Sequence, residues 1–295
     1  MNHSDQQARW WDTDHTEPAA IRCRLCPRQC LIHNGKRGFC QVRSNRNGIL
    51  FADTYGYPVA IQIDPIEKKP LHHFLPGSKT FSIGTFGCNL SCSFCQNDSL
   101  SSCGYPQNPV FRKISPQELI QAAIQNGCLS VAFTYNEPTV FAEYAQDTAE
   151  EAHRHGLKTI FVTNGFITEE AAAEIYPLID AANIDMKGFS EEFYRSMCAG
   201  RLHPVLQSIK KLYQLEKHIE LTNLVIPGKN DSTAMIDLFL DWVEQELDRE
   251  IPLHFSAYHP AARFRAAPPT PPGQLRRIGQ HATERGFKYV HLGNI

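Results

Sequence analysis

Short apolar runs rich in β-branched and aromatic residues alternate with amphipathic helical patterns from about residue 79 to the C-terminal end. A tight hairpin cannot join two parallel strands, so a strand–helix–strand repeat predicts a parallel pair with a crossover helix. We expect an α/β fold, either an open doubly wound sheet or a barrel. The predicted strands are Thr80–Phe86, Leu129–Thr134, Thr159–Thr163, Ala182–Asp185, Ile219–Ile226, Leu253–Ala257 and Lys288–Leu292.

Helix start signals lie between these runs. Ser115-Pro116-Gln117-Glu118 combines an N-cap serine, a proline at the first helical position and a capping-box glutamate. Thr168 and Ser190 each precede two glutamates, which favour the positive end of a helix dipole. Neither a Gly-x-Gly-x-x-Gly motif after the first strand nor a Walker phosphate loop is present in the sequence.

Residues 1–78 follow a different pattern, with a cysteine group and two further predicted strands, Ile49–Tyr55 and Pro58–Ile63. We predict a small metal-stabilised lobe over residues 1–78, followed by the main domain over residues 79–295. Four thiols are enough to saturate either a structural zinc ion or an auxiliary iron–sulfur cluster, and the positive charge of neighbouring residues favours zinc. The four are Cys23, Cys26, Cys30 and Cys40, and the cationic neighbours that would balance their charge are Arg22, Arg24, Arg28 and Lys36.

A second cysteine group, Cys88-x3-Cys92-x2-Cys95, follows the first predicted strand of the main domain. Three thiolates can hold a [4Fe–4S] cluster with one iron left open, because fully ligated clusters use four cysteines. With ten cysteines in the chain, chance gives this spacing in roughly one such sequence in a hundred. The alternatives are three inert thiols or a zinc site completed through folding, for which His72 and His73 are candidates.

Polar residues stand at or beyond the carboxyl ends of the predicted strands, apart from His254, which lies within the sixth predicted strand. In βα barrels the catalytic groups come from the carboxyl ends of different strands, so these side chains should share one rim. Each residue alone has an ordinary explanation as a turn, a cap or a core residue, and the prediction depends on their convergence. The rim candidates are Cys88, Cys92, Cys95, Asn136, Glu137, Asn164, Asp185, Lys187, His254 and His259.

Composition excludes several classes of partner. A formal net charge of −2 gives no overall attraction to nucleic acid or to an anionic membrane. The polar segment Met1–Gln7 has no signal core, and no run approaches the roughly twenty apolar residues that span a bilayer. Ten cysteines without a secretion signal favour reduced thiols and metal ligation. We therefore predict a cytoplasmic metalloprotein that binds neither nucleic acid nor membrane.

The segment Cys88–Asn97 resembles the CxxxCx(aromatic)C signature of the radical S-adenosylmethionine (SAM) enzymes. The chain further resembles their pyruvate formate-lyase activating-enzyme branch, and above all the radical SAM members of the AmmeMemoRadiSam system. The resemblance implies a partial (β/α)6-type TIM barrel behind the cysteine-rich lobe. The motifs that carry it are Cys23–Cys30, Asp64–Phe74, Cys88–Asn97, Thr134–Pro138, Asp185–Tyr194 and Gly286–Asn294.

The resemblance implies a [4Fe–4S] cluster on Cys88, Cys92 and Cys95, whose open iron chelates the methionine amine and carboxylate of SAM. One electron, from a reductant such as flavodoxin or ferredoxin, would then release methionine and a 5′-deoxyadenosyl radical that abstracts a hydrogen atom from a substrate. Memo-like and AMMECR-like proteins are the partners that the family name implies.

The resemblance also implies roles around SAM. Glu137 would accept hydrogen bonds from the methionine ammonium, Lys187 would pair with the carboxylate, and Asn164 would contact the ribose or the carboxylate. The backbone at Phe94 would lie against the adenine. The implied cofactor-binding residues are Phe94, Asn136, Glu137, Asn164, Asp185, Lys187 and His259.

Two positions depart from the activating-enzyme pattern. Val162 stands where those enzymes carry an aspartate, which puts a bound monovalent cation in doubt, and Asp98 stands where a tryptophan is expected. Cys198 could reach the rim to donate a hydrogen atom or to bind substrate. Relatives often continue into a short cysteine-bearing tail beyond the position of Ile295.

The sequence leaves the substrate open among a protein glycine loop, a small molecule and a side chain of a partner protein. A hypothesis from another class is a metal-binding regulatory or scaffold protein in which both cysteine groups are structural.

Overall fold

The computed structural model of the chain describes residues 4–15, 17–104 and 111–295. Its N-terminal part contains two small antiparallel sheets. One consists of β1 (Trp11–Thr13), β2 (Ile21–Cys23) and β3 (Leu31–Ile32), and the other of β4 (Arg43–Arg46) and β5 (Ile49–Ala52). Three cysteines of the first group lie between the end of β2 and the start of β3, and Cys40 lies just before β4.

A sheet of eight strands forms the centre of the described structure. The strands lie side by side in chain order: the first pair is antiparallel and every later pair is parallel. The prediction of a parallel βα sheet is confirmed, and all seven predicted strands end within two residues of observed ones. The strands are β6 (Ala60–Pro65), β7 (Lys79–Gly84), β8 (Ser130–Phe133), β9 (Lys158–Thr163), β10 (Ala181–Asp185), β11 (His218–Val225), β12 (Leu253–Ala257) and β13 (Val290–Gly293).

The sheet curves without closing. Its edges are β6 and β13, which do not pair with each other in the described structure. The segment after β6 nevertheless contacts β13, since the Nδ1 atoms of His72 and His291 lie 3.3 Å apart. Because the two edges approach one another, the sheet forms an open partial barrel and not a flat doubly wound sheet.

Crossover helices follow the parallel strands. Among the described helices, α3 packs on β8 and β9, α6 on β11, and α8 on β12 and β13. Of the helices described here, none combines the length and the apolar character that crossing a membrane requires. The helices are α1 (Asp98–Ser101), α2 (Pro116–Gln125), α3 (Ala142–Arg154), α4 (Glu169–Ile175), α5 (Glu191–Cys198), α6 (Leu202–Gln214), α7 (Thr233–Glu246) and α8 (Pro272–Glu284), with 3-10 turns at Ile66–Lys68, Pro138–Phe141 and Tyr176–Leu178.

The capping residues act as the sequence indicates. Ser115 Oγ accepts a hydrogen bond from Glu118 N at 3.2 Å, and Glu118 Oε2 accepts one from Ser115 N at 2.8 Å. Thr168 and Ser190 cap α4 and α5 through their hydroxyl oxygens. These bonds satisfy amides that have no partner inside a helix, which is why short local motifs predict helix starts.

The main sheet begins before residue 79. The predicted strand Pro58–Ile63 corresponds to β6, which pairs with β7 along its whole length. The other predicted strand, Ile49–Tyr55, is shorter in the structure because the chain turns after Ala52, whose carbonyl accepts from Tyr55 N. The domain division after residue 78 stays a prediction. β6 lies before that division in the chain but belongs to the eight-stranded sheet of the main domain.

A buried ion pair joins the N-terminal segment to the barrel. Arg43 in β4 donates to both carboxylate oxygens of Glu143 in α3, at 2.8 Å each. The two side chains are only 2% and 1% exposed. Arg9 N adds a third hydrogen bond to Glu143, also at 2.8 Å. Because an unpaired buried charge is strongly destabilising, each of these two residues requires the other.

Glu143→Ala is expected to lower the free energy of unfolding by about 3–5 kcal/mol, because Arg43 then stays buried without a counter-charge. Chemical denaturation of the metal-loaded protein measures this loss. Asp12→Ala is the control, since its partner Arg24 is 40% exposed and such surface pairs contribute about 1 kcal/mol or less. Equal losses in the two variants would show that the buried pair does not anchor the segment.

Candidate functional site

A cavity of about 340 Å³ lies at the carboxyl ends of the parallel strands. This volume is typical of sites for small molecules and cofactors. The segments that follow β7, β8, β9 and β10 bring most of the predicted rim residues to its wall. Those on the wall are Cys88, Cys92, Phe94, Cys95, Asn136, Glu137, Asn164, Asp185 and Lys187.

Two predicted rim histidines lie elsewhere. His259 is exposed and outside the cavity lining, with its Nε2 3.1 Å from the backbone oxygen of Asn294, a lining residue. His254 is 6% exposed, and its Nε2 lies 2.6 Å from an oxygen of Glu220. It is the second residue of β12, so it lies inside the barrel and not beyond the strand end.

The cysteines of the second group are half-buried in the cavity wall. Burial raises the pKa of Cys88 and of Cys95, so without a metal these thiols stay protonated at neutral pH. Metal binding therefore releases protons. In the part of the chain that the structure describes, no three His, Cys, Asp or Glu side chains already surround one point as ligands.

Asn136 positions the start of the cysteine loop. Its Nδ2 donates to the backbone oxygens of Phe86 and Gly87, at 3.0 and 2.9 Å. Its Oδ1 accepts from Thr85 N at 2.8 Å. These bonds direct the polar atoms of the amide toward the backbone that leads into Cys88. A positioning role therefore fits Asn136 better than direct contact with a bound molecule.

Cys198 supports the same loop from the end of α5. Its backbone oxygen accepts from Ser91 N at 2.9 Å, and its thiol hydrogen-bonds the thiol of Cys92. That bond lowers the pKa of Cys92, while the bond and burial raise the pKa of Cys198. Cys198 is fully buried and lies outside the cavity lining, so the structure gives no support to direct contact with a substrate.

Glu137 places a carboxylate in the cavity wall, although the residue is only 3% exposed. Its Oε1 accepts from Thr139 N and Thr139 Oγ1, at 3.0 and 2.7 Å, and from Thr163 Oγ1 at 2.7 Å. Its Oε2 accepts from Asn164 N at 2.8 Å. Burial raises the pKa of Glu137 and these hydrogen bonds oppose the rise. A cation bound beside the carboxylate would stabilise its ionised form.

Asn164 connects Glu137 to the cysteine loop. Besides its backbone bond to Glu137, its Nδ2 donates to Asn89 Oδ1 at 3.0 Å and lies 3.6 Å from Cys88 Sγ. Its Oδ1 accepts from Phe166 N at 2.8 Å. The amide is thus fixed in one orientation, with its NH2 group toward the thiol.

Asp185 and Lys187 form an ion pair at the end of β10, with 2.7 Å between Lys187 Nζ and Asp185 Oδ2. Burial lowers the pKa of Lys187, but the Asp185 carboxylate and the nearby Cys92 outweigh that effect and raise it overall. Lys187 therefore stays charged at neutral pH and supplies a cation to the cavity wall.

The first cysteine group surrounds a separate cavity of about 20 Å³. Burial raises the pKa of three of these thiols, that of Cys40 to about 12. Arg28 and Arg43 also line this cavity and supply positive charge beside the sulfur atoms. All four predicted ligands are on its wall, namely Cys23, Cys26, Cys30 and Cys40.

Arg28 joins the two cysteine groups. From the wall of the small cavity its guanidinium donates to the backbone oxygens of Asn89 and Ala199 and stacks over Phe39, 3.4 Å from the ring centroid. Asn89 follows Cys88 directly and also lines the small cavity. A contact between segments 61 residues apart has no signal in the sequence.

Sequence analysis missed several polar residues of the large cavity. Tyr135 adopts a φ of +69°, a left-handed backbone conformation that is uncommon for residues other than glycine. Its hydroxyl donates to Asp64 Oδ2 at 2.8 Å. Tyr135, Lys68 and Asn294 lie within segments that carry the family resemblance, which is the sequence signal for them, whereas Thr222 and Ser256 lie in predicted strands without such a signal. The missed lining residues include Lys68, Tyr135, Thr222, Ser256 and Asn294.

Comparison with known proteins assigns the superfamily. The sequence profile of the radical SAM superfamily matches residues 82–240, which is more than half of the chain and includes all three cysteines of the cavity. The chain belongs to the radical SAM superfamily. It is 41% identical over 276 residues to an uncharacterized protein of Methanocaldococcus jannaschii, covering 93% of this chain and 81% of that relative.

Solved structures share the fold. A domain of the pyruvate-formate lyase-activating enzyme from Bacteroides vulgatus superposes with a TM-score of 0.50 at 17% identity, covering 56% of this chain and 99% of that one. Streptococcus suis SuiB bound to S-adenosylmethionine gives 0.56 at 15% identity, covering 72% of this chain and 49% of SuiB. The superfamily uses a [4Fe–4S] cluster and SAM, and three thiols on a cavity of cofactor size fit both.

Arg28→Met is expected to speed the loss of iron from the reconstituted protein without removing a thiol. The loop after Cys88 loses a charged donor worth about 1.5–3 kcal/mol, so release to a ferrous chelator should rise roughly ten- to a hundred-fold. Anaerobic absorbance of the iron–chelator complex follows the release. Arg24→Met is the control, because Arg24 is 40% exposed and pairs with Asp12. An unchanged rate of iron release would show that the hydrogen bonds of Arg28 do not hold the loop after Cys88 in place.

Proposed function

We propose that this chain cleaves SAM reductively and directs the resulting radical at a hydrogen atom of a substrate. The observation that carries the proposal is one cavity joining three thiols to Glu137 and Lys187, whose charges complement the ammonium and carboxylate of an amino acid. Cys88, Cys92 and Cys95 would hold the cluster, which would supply the electron, and bound SAM would supply the 5′-deoxyadenosyl radical. The remaining residues orient SAM and exclude water.

Glu137 is the proposed acceptor for the methionine ammonium. Among the described residues its Oε2 accepts one hydrogen bond, from Asn164 N, whereas Oε1 accepts three. A carboxylate oxygen has two lone pairs, so Oε2 has capacity for a charged donor from the cavity side. The bound ammonium would also keep the buried carboxylate ionised.

Lys187 is the proposed partner of the methionine carboxylate. Its pairing with Asp185 fixes the ammonium at the cavity wall before SAM binds. Asn164 presents an amide NH2 group near Cys88, within the reach expected for a ribose or carboxylate contact. The buried ring of Phe94 packs toward Phe193, at 6.0 Å between centroids, which fixes the backbone proposed to contact the adenine.

The activating-enzyme resemblance supports a glycyl-radical-activase-like reaction as the finer proposal. It rests on the cysteine-loop motif and on the fold shared with the activating-enzyme domain. The substrate is then a glycine of a partner protein, with a small molecule or another side chain as the alternatives. We also propose membership of the AmmeMemoRadiSam system, with Memo-like and AMMECR-like partners, and a flavodoxin or ferredoxin reductant in the cytoplasm.

The four-cysteine cavity is proposed to hold structural zinc. Its volume of about 20 Å³ is close to that of a single water-sized occupant, which suits one ion better than a four-iron cluster. Four thiolates close a tetrahedral site and stabilise strands too short to form a core of their own.

Anaerobically reconstituted, reduced protein is expected to convert SAM to 5′-deoxyadenosine, measured by liquid chromatography. Cys92→Ala should abolish the conversion, since the cluster loses one of three ligands. Cys103→Ala is the control, because that cysteine is exposed and outside the cavity lining. A fully loaded wild-type cluster that cleaves no SAM would favour a structural role for both cysteine groups.

Glu137→Gln separates SAM binding from cluster loading. It keeps the shape of the side chain but removes the charge that faces the ammonium, so SAM affinity should fall about tenfold or more while iron content stays the same. Equilibrium binding and iron analysis give the two readouts. Glu192→Gln, on the exposed side of α5, serves as the control. Loss of iron in Glu137→Gln would assign this residue to the cluster loop instead.

A further inference from the structure

Five histidines and one glutamate form a group of contacts outside the cysteine sites, in which His73 is exposed and the other members are buried or partly buried. Three of the rings contact one another and are called the histidine trio here: His72, from the segment after β6, His254 in β12 and His291 in β13. The radical SAM chemistry uses none of them. Imidazole is the commonest protein ligand for zinc and other first-row transition metals, so such a group has a chemical meaning of its own.

Strand register directs the trio into the barrel. Thr222, His254 and His291 are partners across β11, β12 and β13, so their side chains lie on the same face of the sheet. Thr222 lines the large cavity, which identifies that face as the interior. His72 reaches the same place across the seam between the two sheet edges.

The spacing of the rings suits one shared ion. Their centroids are 4.9 Å apart for His72 and His254, 4.4 Å for His72 and His291, and 4.8 Å for His254 and His291. The facing Nδ1 atoms of His72 and His291 are 3.3 Å apart. Two nitrogens bound at about 2.0–2.1 Å to a tetrahedral ion stand about 3.3 Å apart. The nitrogens of His72 and His291 thus already have the separation of two ligands on one ion, and the ring of His254 contacts both.

The other nitrogens of two trio members also have partners. His254 Nε2 lies 2.6 Å from Glu220 Oε2, and a ligating histidine almost always donates its second N–H to a carboxylate, a backbone carbonyl or water. His291 Nε2 lies 2.8 Å from His73 Nε2, so its partner is another imidazole. In this arrangement the Nδ1 atoms of His254 and His291 are left for the ion.

Glu220 is itself held firmly. It is fully buried and accepts from the backbone amides of His72 and His73, at 3.1 and 2.8 Å, and from His218 Nε2 at 2.9 Å. These donors keep the pKa of Glu220 well below its usual range despite burial. The carboxylate thus fixes the backbone of one trio member and the ring of another.

We propose that His72, His254 and His291 bind one divalent first-row transition-metal ion, with Zn²⁺ as the reference ion. The three nitrogens do not yet surround one point in the described structure, so binding requires rotation of the rings within their present contacts. Three neutral imidazoles leave a fourth position open, as in catalytic zinc sites. That position would take water or an oxygen donor of a molecule inside the barrel, such as a carboxylate.

Zinc X-ray absorption on the full-length, iron-loaded protein tests the site. After incubation with Zn²⁺ and removal of weakly bound metal, the wild type should show a nitrogen shell near 2.0 Å, distinct from the sulfur shell near 2.3 Å of a cysteine site. His291→Ala should lose the nitrogen shell and one zinc per chain, whatever the four-cysteine cavity binds. His203→Ala, an exposed histidine on α6, should lose neither.

Glu220→Gln gives a second test that leaves every ligand in place. Loss of such a supporting carboxylate should weaken Zn²⁺ binding about 10- to 100-fold, with iron content and SAM cleavage as indicators of intact folding. Wild-type zinc with only a sulfur shell, or a His291→Ala variant that keeps the nitrogen shell and the wild-type zinc content, would overturn the proposal. Either result would leave the SAM chemistry untouched, because that reaction is measured without added zinc.

Discussion

The ion pair between Arg43 and Glu143 is the contact on which the arrangement of the two cysteine groups depends. Both side chains are buried, so neither charge can find water if the other is displaced. Arg43 also lines the four-cysteine cavity, where its charge lies beside the sulfur atoms. The guanidinium of Arg43 therefore contacts α3 and also lies beside the proposed metal site. The stability of the Arg43–Glu143 contact and the binding of metal in the small cavity should consequently depend on each other.

That contact brings Arg28 within reach of the loop that carries Cys88. Arg28 donates to Asn89 O, Asn89 Oδ1 accepts from Asn164, and Asn164 N donates to Glu137. A continuous set of hydrogen bonds thus runs from the wall of the small cavity to the proposed ammonium acceptor. Polar networks of this kind favour a single arrangement when every member has a partner. The N-terminal segment is, in this view, part of the apparatus that orients SAM.

Much of the fold could be predicted because its signals are local or topological. The Ser115 cap involves neighbours three residues apart, and strand order places Glu137 and Asn164 at a common rim. Partners distant in sequence could not be predicted: Arg43 and Glu143 are 100 residues apart, and His72 and His291 are 219 apart. His254 shows a different limit, because the strand-end rule says nothing about depth along a strand.

Depth along the strand decides the environment of each polar residue in this barrel. Asp185, at the last position of β10, lines the open cavity. Its side chain is partly exposed, and its carboxylate forms an ion pair with Lys187. Glu220, the third residue of β11, is fully buried and accepts hydrogen bonds from four donors of the protein. Two of those donors are backbone amides of the segment after β6, so the carboxylate pins that segment across the unpaired seam. The interior end of the open barrel is thereby filled with polar contacts, while the carboxyl-terminal rim stays free for a cofactor.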